Sequence, residues 1–554
     1  NNFDSFVSVA INIRHFLGAL VSFISSHSQQ GDEMRSFQLL HLLHIVGIVM
    51  IHFPSTFSNQ MDVQPNTLQV EGLCFYYYDA SDRYTCELRN VVTTAPDDVL
   101  IITGNHLPNH TDADVQVVFH VNVLISYFNG EVLRKFPNLE YLAIGNKGIA
   151  QIAEDAFEEC EKLDRVYISF NDLQTLPPRM LQNCVNLRYL DAYGNGLTSI
   201  PENLFGSTTN LERFDVSNNR LNSLPPNLLR NMTKLKEFSI RSNSFENIDR
   251  NLLVDAVNLE KIELSSNLIS NTSVIMDLLN GHLTLNSIRI SRNQFTSFDF
   301  TFLSQFTRLI DFEIGGGVSL TGINWSGLPS SLESIYLSDV AEEIPSNAFN
   351  NLTNLKHLGF TGYGITTLHE DTFKLLVNLN SLSIQSTRLR ELSSNMFVNL
   401  VNLTQLYLSY NNIAELPRGV FTSLVNLGLN LSSSDLHLVL NGNRIRSLNA
   451  NSFGYHPHLR NLWIRGNGIF EIQRGIFSRF PSTMEVVDLS SNSCVDVLFW
   501  LQSDLHVDHR LENCFNNWDG ITTTTTTMMP SEAFRIEVSL FDILMIFSMI
   551  FLLK

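Results

Sequence analysis

The apolar positions of the chain recur with a step of 24 residues. The template L-x-x-L-x-L-x-x-N-x-L fits the segments 163–173, 187–197 and 211–221. Further copies start at residues 139, 235, 259, 285, 309, 332, 355, 379, 403, 435, 459 and 484, with an insertion at 429–434. The pattern therefore predicts fifteen repeats, and a degraded sixteenth copy starts at Val115.

Each copy predicts one short strand. Apolar residues at template positions 4 and 6 point inward and alternate with outward positions, which is the period of a strand. The Asn at position 9 follows the strand, and its amide can pair with backbone groups that the turn leaves open. A second motif, Phe-x-x-Leu-x-x-Leu, precedes the strands, as at Phe349 and Phe397. No copy can bury its apolar face alone, so the stack predicts an α/β solenoid, a horseshoe with a parallel concave sheet.

These repeats resemble those of extracellular leucine-rich repeat proteins over residues 115–515. The resemblance implies a repeat region at 115–493 between an N-terminal cap at 59–114 and a C-terminal cap at 494–515. The cap sequences are most similar to those of dipteran secreted or surface repeat proteins, including coil-less relatives of the mosquito leucine-rich immune proteins.

The six cysteines divide into three pairs on this resemblance. Cys74 with Cys86 and Cys494 with Cys514 look like cap disulfides, as small terminal modules of secreted proteins require. Cys160 and Cys184 occupy the Leu position of the Phe-x-x-Leu-x-x-Leu motif in adjacent repeats. Two interpretations of this pair are open, a bridge and two buried small side chains, and the second is favoured.

Outward positions of the strands carry the candidate ligand contacts. They include exposed aromatic groups, which dominate protein-binding surfaces. The candidates are Tyr167, Tyr189, Asp191, Tyr193 and Asp215 near the front, with Tyr141 and Phe170, and Tyr407, Tyr410 and Trp463 near the back, with Arg460 and Arg465. We expect them on the concave face.

Four consecutive repeats lack the Asn at position 9, where Gly317, Val340, Tyr363 and Thr387 stand instead. One interpretation is a binding or dimerisation segment. The favoured alternative is simple decay of the repeat, with water filling the gap.

Seven N-x-S/T sequons indicate glycosylation. They lie at Asn109, Asn231, Asn271, Asn324, Asn351, Asn402 and Asn430, none of them at an outward strand position. The strand face is thereby expected to stay free of sugar.

The two ends of the chain predict export and tethering. Residues 34–58 are typical of a signal peptide, with a membrane anchor or buried helix as the alternative. Residues 1–33 are then interpreted as a segment upstream of the native start. A Thr-rich stalk at 516–537 precedes an apolar tail at 538–554. The tail is short for a membrane span and fits a GPI signal better, with a transmembrane helix or plain secretion as alternatives.

Composition and the absence of known motifs argue against several classes of function. The formal net charge of −19 argues against nucleic acid as a partner, and the 44% of apolar residues argue against disorder. The sequence contains no G-x-S-x-G, H-E-x-x-H, C-x-x-C or P-loop motif and no His spacing typical of metal sites. We therefore expect no enzyme, cofactor or metal. The favoured function is a surface receptor or adhesion protein that binds a protein ligand or co-receptor, and the alternative is a soluble immune recognition factor.

Overall fold

The computed structural model describes residues 69–520, apart from 90, 94–97, 122, 432–434, 477–479 and 502–506. The described residues all belong to one compact unit. The predicted upstream segment, signal peptide and apolar tail lie outside the described residues, as does the stalk from residue 521 onward.

One twenty-stranded sheet organises the described residues. Its strands are β1 Gln69–Tyr78, β2 Tyr84–Arg89, β3 Val99–Thr103, β4 Val117–Val121, β5 Tyr141–Ala143, β6 Arg165–Tyr167, β7 Tyr189–Asp191, β8 Arg213–Asp215, β9 Glu237–Ser239, β10 Lys261–Glu263, β11 Ser287–Arg289, β12 Asp311–Ile314, β13 Ser334–Leu337, β14 His357–Gly362, β15 Ser381–Thr387, β16 Gln405–Tyr407, β17 Leu438–Val439, β18 Asn461–Trp463, β19 Val486–Asp488 and β20 Leu498–Trp500.

The remaining elements are short. Three two-stranded pairs join Val92–Thr93 to Leu124–Ile125, Tyr127–Phe128 to Gln151–Ile152, and Ser447–Leu448 to Glu471–Ile472. The α-helices are α1 Glu131–Lys135, α2 Thr272–Leu279, α3 Val507–Arg510 and α4 Glu512–Trp518, and 3₁₀ turns lie at Asp112–Asp114, Phe300–Gln305 and Trp325–Gly327.

The sheet grows in chain order from the first repeat to the last. β5 to β19 are parallel neighbours, one strand for each of the fifteen predicted repeats. β4 pairs in parallel with β5 and corresponds to the degraded sixteenth copy. The middle residue of each strand is buried, as Val166, Leu190 and Phe214 show. The predicted solenoid is therefore confirmed.

Additional strands close both ends of the stack. β2 covers β4 in parallel and forms a hairpin with β1, which in turn pairs with β3. β20 covers the last repeat strand, β19, in antiparallel pairing. Helix α4 extends past residue 515, the predicted end of the C-terminal cap.

The Asn at position 9 forms a ladder between repeats. Asn267 is buried, and its Nδ2 donates to the carbonyl oxygens of Leu264 in its own repeat (3.0 Å) and Ile240 in the preceding one (3.1 Å). Its Oδ1 accepts from the N–H of Phe245 at 3.1 Å. The same pattern recurs at Asn219, Asn243, Asn443 and Asn467, among others.

In the four repeats that lack this Asn, backbone pairing and, in the last of them, the hydroxyl of Thr387 take the place of the ladder. That hydroxyl donates to Asn411 Oδ1 and accepts the N–H of Leu389 at 3.2 Å. Strands β12 to β15 contain four to seven residues, whereas most repeat strands contain three. The N–H of Val340 donates to the carbonyl of Thr361 at 2.9 Å, and Leu320 bridges to Val340. The turns approach so closely that a Cβ on Gly317 would lie 1.7 Å from the carbonyl oxygen of Asn293. The turns of these repeats are therefore in direct contact.

A second row of Asn, which the repeat template does not include, runs along the edge where the strands begin. Each of these residues stands immediately before a Leu and donates to a backbone carbonyl one repeat earlier. That Leu is the first of its repeat, except for Leu427, which follows Asn426 and lies before the insertion. The row includes Asn138, Asn186, Asn210, Asn258, Asn354, Asn378, Asn402 and Asn426.

The return segments pack through a column of phenylalanine rings. Phe349, Phe373, Phe397 and Phe421 are buried, and successive ring centroids lie 6.3 to 6.5 Å apart. The Phe-x-x-Leu-x-x-Leu motif thus supplies the second wall of the core.

Three disulfides join the six cysteines. Cys74 pairs with Cys86 and Cys494 with Cys514, one in each cap. Cys160 and Cys184 are also bridged, with a Cα–Cα distance of 4.8 Å. The favoured interpretation of that pair as two free buried side chains is thus wrong, because adjacent repeats bring the two positions within bonding distance.

Among the described residues, no helix is both long enough and apolar enough to cross a bilayer.

Candidate functional site

The strand face consists of the side chains of β5 to β19 that alternate with the buried core residues. Tyr141, Arg165 and Tyr189 are in register on neighbouring strands, and all three are partly exposed. The rings of Tyr141 and Tyr167 lie 5.1 Å apart, and the Arg165 guanidinium lies 4.1 Å from the centroid of Tyr189. Parallel register thus gathers residues 24 positions apart into one aromatic cluster.

The front cluster extends beyond the ends of the strands. The rings of Phe170 and Tyr193 pack 5.0 Å apart, and Phe170 is 58% exposed. The ring of Phe170 lies over Gly194, where an added Cβ would be 3.0 Å from it. Gly194 also has a positive φ of 69°, so glycine fits both the space and the backbone there.

Acidic groups border this cluster. Asp191 accepts the N–H of Tyr193 through its Oδ1 at 3.0 Å. Burial raises the pKa of Asp191, and the negative charge of Asp215 adds to this effect. Arg213 bridges Asp215 and Glu237, with distances of 3.2 Å to each carboxylate. The front of the strand face therefore combines aromatic rings with one carboxylate, that of Asp191, which burial makes costly to ionise.

Two candidate contacts are buried. Asp215 is 8% exposed because Arg213 bonds to its Oδ2 and the Ser217 N–H to its Oδ1. Tyr407 is 5% exposed, and burial together with the charge of Asp435 raises its pKa. Neither side chain presents a contact surface, which corrects the expectation from their outward template positions.

Trp463, Tyr410 and Arg465 lie near the back of the strand face. The indole Nε1 of Trp463 is buried and has no hydrogen-bond partner within the part of the chain that the structure describes. Tyr410 is exposed and its ring lies over Gly442, in the same relationship as Phe170 and Gly194. An aromatic residue followed one repeat later by glycine is the sequence signal for this arrangement.

The middle of the strand face carries charged residues that were not among the predicted contacts. Arg289 bonds to Asp311 at 2.7 Å, and burial raises the pKa of Glu263 on the preceding strand. The ring of Tyr336 lies over Gly359, where a Cβ would be 2.4 Å from it. These residues occupy outward template positions, and that position in the template could have identified them as residues of the strand face.

The seven sequon asparagines are all exposed. Asn271 and Asn324 cap short helical segments through their side chains. Asn402 belongs to the second Asn row and donates to the carbonyl of Val377 at 2.9 Å. Glycosylation at these positions remains a prediction.

Within the described ranges, no group of three or more His, Cys, Asp or Glu side chains is arranged to hold a metal ion.

The repeats match a known family model. The BspA type leucine rich repeat region matches residues 126–255 and 328–438 in six copies. These two segments therefore carry leucine-rich repeats, and the described residues have the leucine-rich repeat fold. No curated protein matches its sequence.

Solved structures of other leucine-rich repeat proteins are similar in fold. A Leptospira interrogans protein is 20% identical over 74% of this chain and 91% of its own, with a TM-score of 0.49. Toll, in the Drosophila Toll–Spatzle complex, is 19% identical over 78% of this chain and 65% of its own, with a TM-score of 0.48. The APL1 leucine-rich repeat domain is 17% identical over 66% of this chain and 95% of its own, with a TM-score of 0.39. These likenesses concern the fold alone.

Proposed function

We propose that this leucine-rich repeat protein acts outside the cell and binds a protein ligand or co-receptor through its strand face. The observation that carries the proposal is the front cluster of the strand face, in which Tyr167, Tyr189, Tyr193 and Phe170 form a partly exposed aromatic surface. Aromatic and arginine side chains on a rigid support dominate the binding energy of protein interfaces. Binding rather than catalysis is the role that this surface supports.

Rigidity of the cluster favours binding. Arg165 and Arg188 lie 4.1 and 5.6 Å from the centroid of Tyr189, which limits the motion of that ring before any ligand arrives. Side chains that are already ordered lose less entropy on association. The asparagine ladder below the cluster fixes the strands that carry these rings.

Extracellular placement is supported by the three disulfides, since such bonds persist in oxidising compartments. We propose tethering at the cell surface through the tail at 538–554, as a receptor or adhesion protein. The narrower likeness to dipteran surface and immune proteins belongs to the same proposal.

The strand face can be tested by photocrosslinking. A benzophenone amino acid replaces Tyr193 in one form of the full chain and Tyr455 in another, and both are displayed on insect cells. Tyr455 is the matched control because it is a 68% exposed tyrosine on a return segment. We expect a discrete protein adduct at position 193 that Tyr167→Ala reduces by about tenfold. Adducts at position 455 alone, or equal adducts at both, would contradict binding through the strand face.

Tethering requires a separate measurement. Phosphatidylinositol-specific phospholipase C should release the surface protein into the medium if the tail carries a GPI anchor. Protein that stays on the cell after treatment would favour a transmembrane tail. Protein that appears in untreated medium would favour the alternative function, a soluble immune recognition factor.

A further inference from the structure

A groove of about 840 Å³ lies along the edge where the first repeat strands begin, next to the N-terminal cap. It adjoins the strand face, because Arg188 belongs to its lining and also lies 5.6 Å from the ring centroid of Tyr189. Its lining includes Tyr78, Tyr84, His110, Asn138, Asn186 and Asn210. We propose that this groove binds a carbohydrate.

The cap supplies an aromatic wall. The ring centroids of Tyr84 and His110 lie 4.4 Å apart, and those of Tyr84 and Tyr78 lie 5.5 Å apart. The Tyr78 hydroxyl and His110 Nε2 are hydrogen-bonded at 2.7 Å. Tyr84 is buried and anchors the wall, whereas Tyr78 is 48% exposed. A fixed, half-exposed ring offers a flat apolar surface to the C–H face of a sugar ring.

The floor supplies ordered hydrogen-bonding groups from the second Asn row. Asn138 and Asn186 donate through Nδ2 to the carbonyls of Ala113 and Glu161, at 2.9 and 2.7 Å. These bonds fix both amides and leave each Oδ1 as an acceptor. The Oδ1 of Asn210 accepts from Lys234 Nζ at 2.7 Å. Acceptors that are fixed in advance suit a ligand with several hydroxyl groups.

The charges along the groove balance. The acids are Asp114, Glu140 and Asp164, and the bases are Lys162, Arg188 and Lys234. Arg188 is paired with Asp164, and Glu140 accepts from Gln116 at 3.2 Å. A balanced set of partly paired groups creates little net field, which disfavours a phosphate group or a strongly charged peptide.

Size and polarity lead to the same ligand class. Ligand pockets span about 300 to 1,000 Å³ and are mostly apolar. This groove falls within that range but is mainly polar, with one aromatic wall. A neutral, hydroxyl-rich ligand satisfies such a lining better than an apolar molecule does.

Two sources could supply the carbohydrate. Asn109 immediately precedes His110 of the aromatic wall, is exposed and belongs to a predicted sequon. An N-glycan of this chain could therefore start at the mouth of the groove. The other source is a glycan on a different molecule, which would reach the groove when Asn109 carries no sugar.

Lys162→Trp is the variant that blocks the groove. Lys162 is exposed and lines the groove, so a large side chain there occupies space without removing a core contact. Glu161→Trp is its matched control, because Glu161 is an exposed neighbour outside the lining. Tyr78→Ala removes part of the wall, with Tyr455→Ala as its control. Thermal melting verifies that each variant folds. If Tyr78→Ala does not fold, Lys162→Trp still tests whether the groove binds the ligand.

The first arm of the experiment concerns the chain's own glycan. The full chain is made in insect cells and digested in the native state with an endoglycosidase, and release at each sequon is followed by mass spectrometry. Slower release at Asn109 than at Asn351, lost in Lys162→Trp but kept in Glu161→Trp, would support the proposal with the chain's own glycan as ligand.

The second arm uses the Asn109→Gln chain on an array of immobilised glycans. Binding that falls by about tenfold in Lys162→Trp and in Tyr78→Ala, but not in their controls, would support the proposal with an external glycan as ligand. Equal release at Asn109 and Asn351 together with no array binding would overturn it. Array binding that survives both variants, with no protection at Asn109, would overturn it as well.

Discussion

Asp191 on β7 and Asp215 on β8 are direct register partners on neighbouring parallel strands. Two carboxylates on adjacent strands repel each other when both are ionised. Burial, and then Asp215, raises the pKa of Asp191 above its ordinary 3.8, although Arg213 opposes the shift. The charge of Asp191 therefore costs stability at neutral pH.

Replacing Asp191 by Asn should stabilise the protein at neutral pH. A carboxyl group whose pKa is raised by folding contributes its full stability below pH 3.8, and that stability is lost as the pH rises through the folded pKa. The amide keeps an acceptor for the Tyr193 N–H. Thermal melting should show a higher Tm for Asp191→Asn at pH 7, and the difference should vanish below pH 3.8.

The control for this change is Asp249→Asn. Asp249 is exposed and accepts the N–H of Asn251 at 2.8 Å, so Asn there keeps the same acceptor without relieving a buried charge. A Tm gain at position 191 no larger than that at position 249 would contradict the explanation. If Asp191 also serves the proposed ligand, Asp191→Asn should weaken adduct formation at Tyr193 while it raises stability.

The two rows of Asn should contribute differently to the free energy of unfolding. Asn267→Ala leaves the buried N–H of Phe245 and carbonyl of Ile240 without their side-chain partner, which should lower the free energy of unfolding by about 3 kcal/mol. Asn258→Ala in the same repeat removes one exposed bond to Thr233 and should cost about 0.5 to 1 kcal/mol. Urea denaturation of both variants measures the difference, and equal losses would show that the ladder is not the stronger row.

The repeat register could be predicted because its cause is local. An apolar residue at each buried strand position and an Asn at position 9 have the same role in each repeat that carries them, as Leu264 and Asn267 show. The second Asn row escaped prediction because the template treats the residue before its first Leu as variable, as at Asn258.

The binding candidates were less predictable because exposure depends on neighbours. The template places Asp215 and Tyr407 outward, but Arg213 folds over the first, and Asp435, which follows the insertion, lies near the second. A repeat pattern gives the direction of a side chain but does not show which neighbouring side chain or insertion covers it. The bridge between Cys160 and Cys184 could not be predicted for a similar reason, because it requires the distance between side chains of two adjacent repeats.

Close packing in the repeats without the ladder Asn should make Gly317 sensitive to substitution. A methyl group there would meet the carbonyl oxygen of Asn293 at 1.7 Å, so Gly317→Ala must push two turns apart. We expect a loss of about 1 to 3 kcal/mol in the free energy of unfolding. Gly196→Ala is the control, because its Cβ would meet nothing nearer than 3.4 Å. Similar losses at both positions would argue against close turn contact as the cause.

The disulfide between Cys160 and Cys184 should stabilise the first repeats. It closes a loop of 24 residues, and a loop of that length restricts the unfolded chain by about 3 kcal/mol. The double variant Cys160→Ala with Cys184→Ala should lose about that amount in urea denaturation. Its control is Met180→Ala, a buried residue of the same segment that forms no bridge. Native protein treated with a thiol reagent in denaturant should show no free thiol. Two reactive thiols that map to residues 160 and 184 would contradict the bridge.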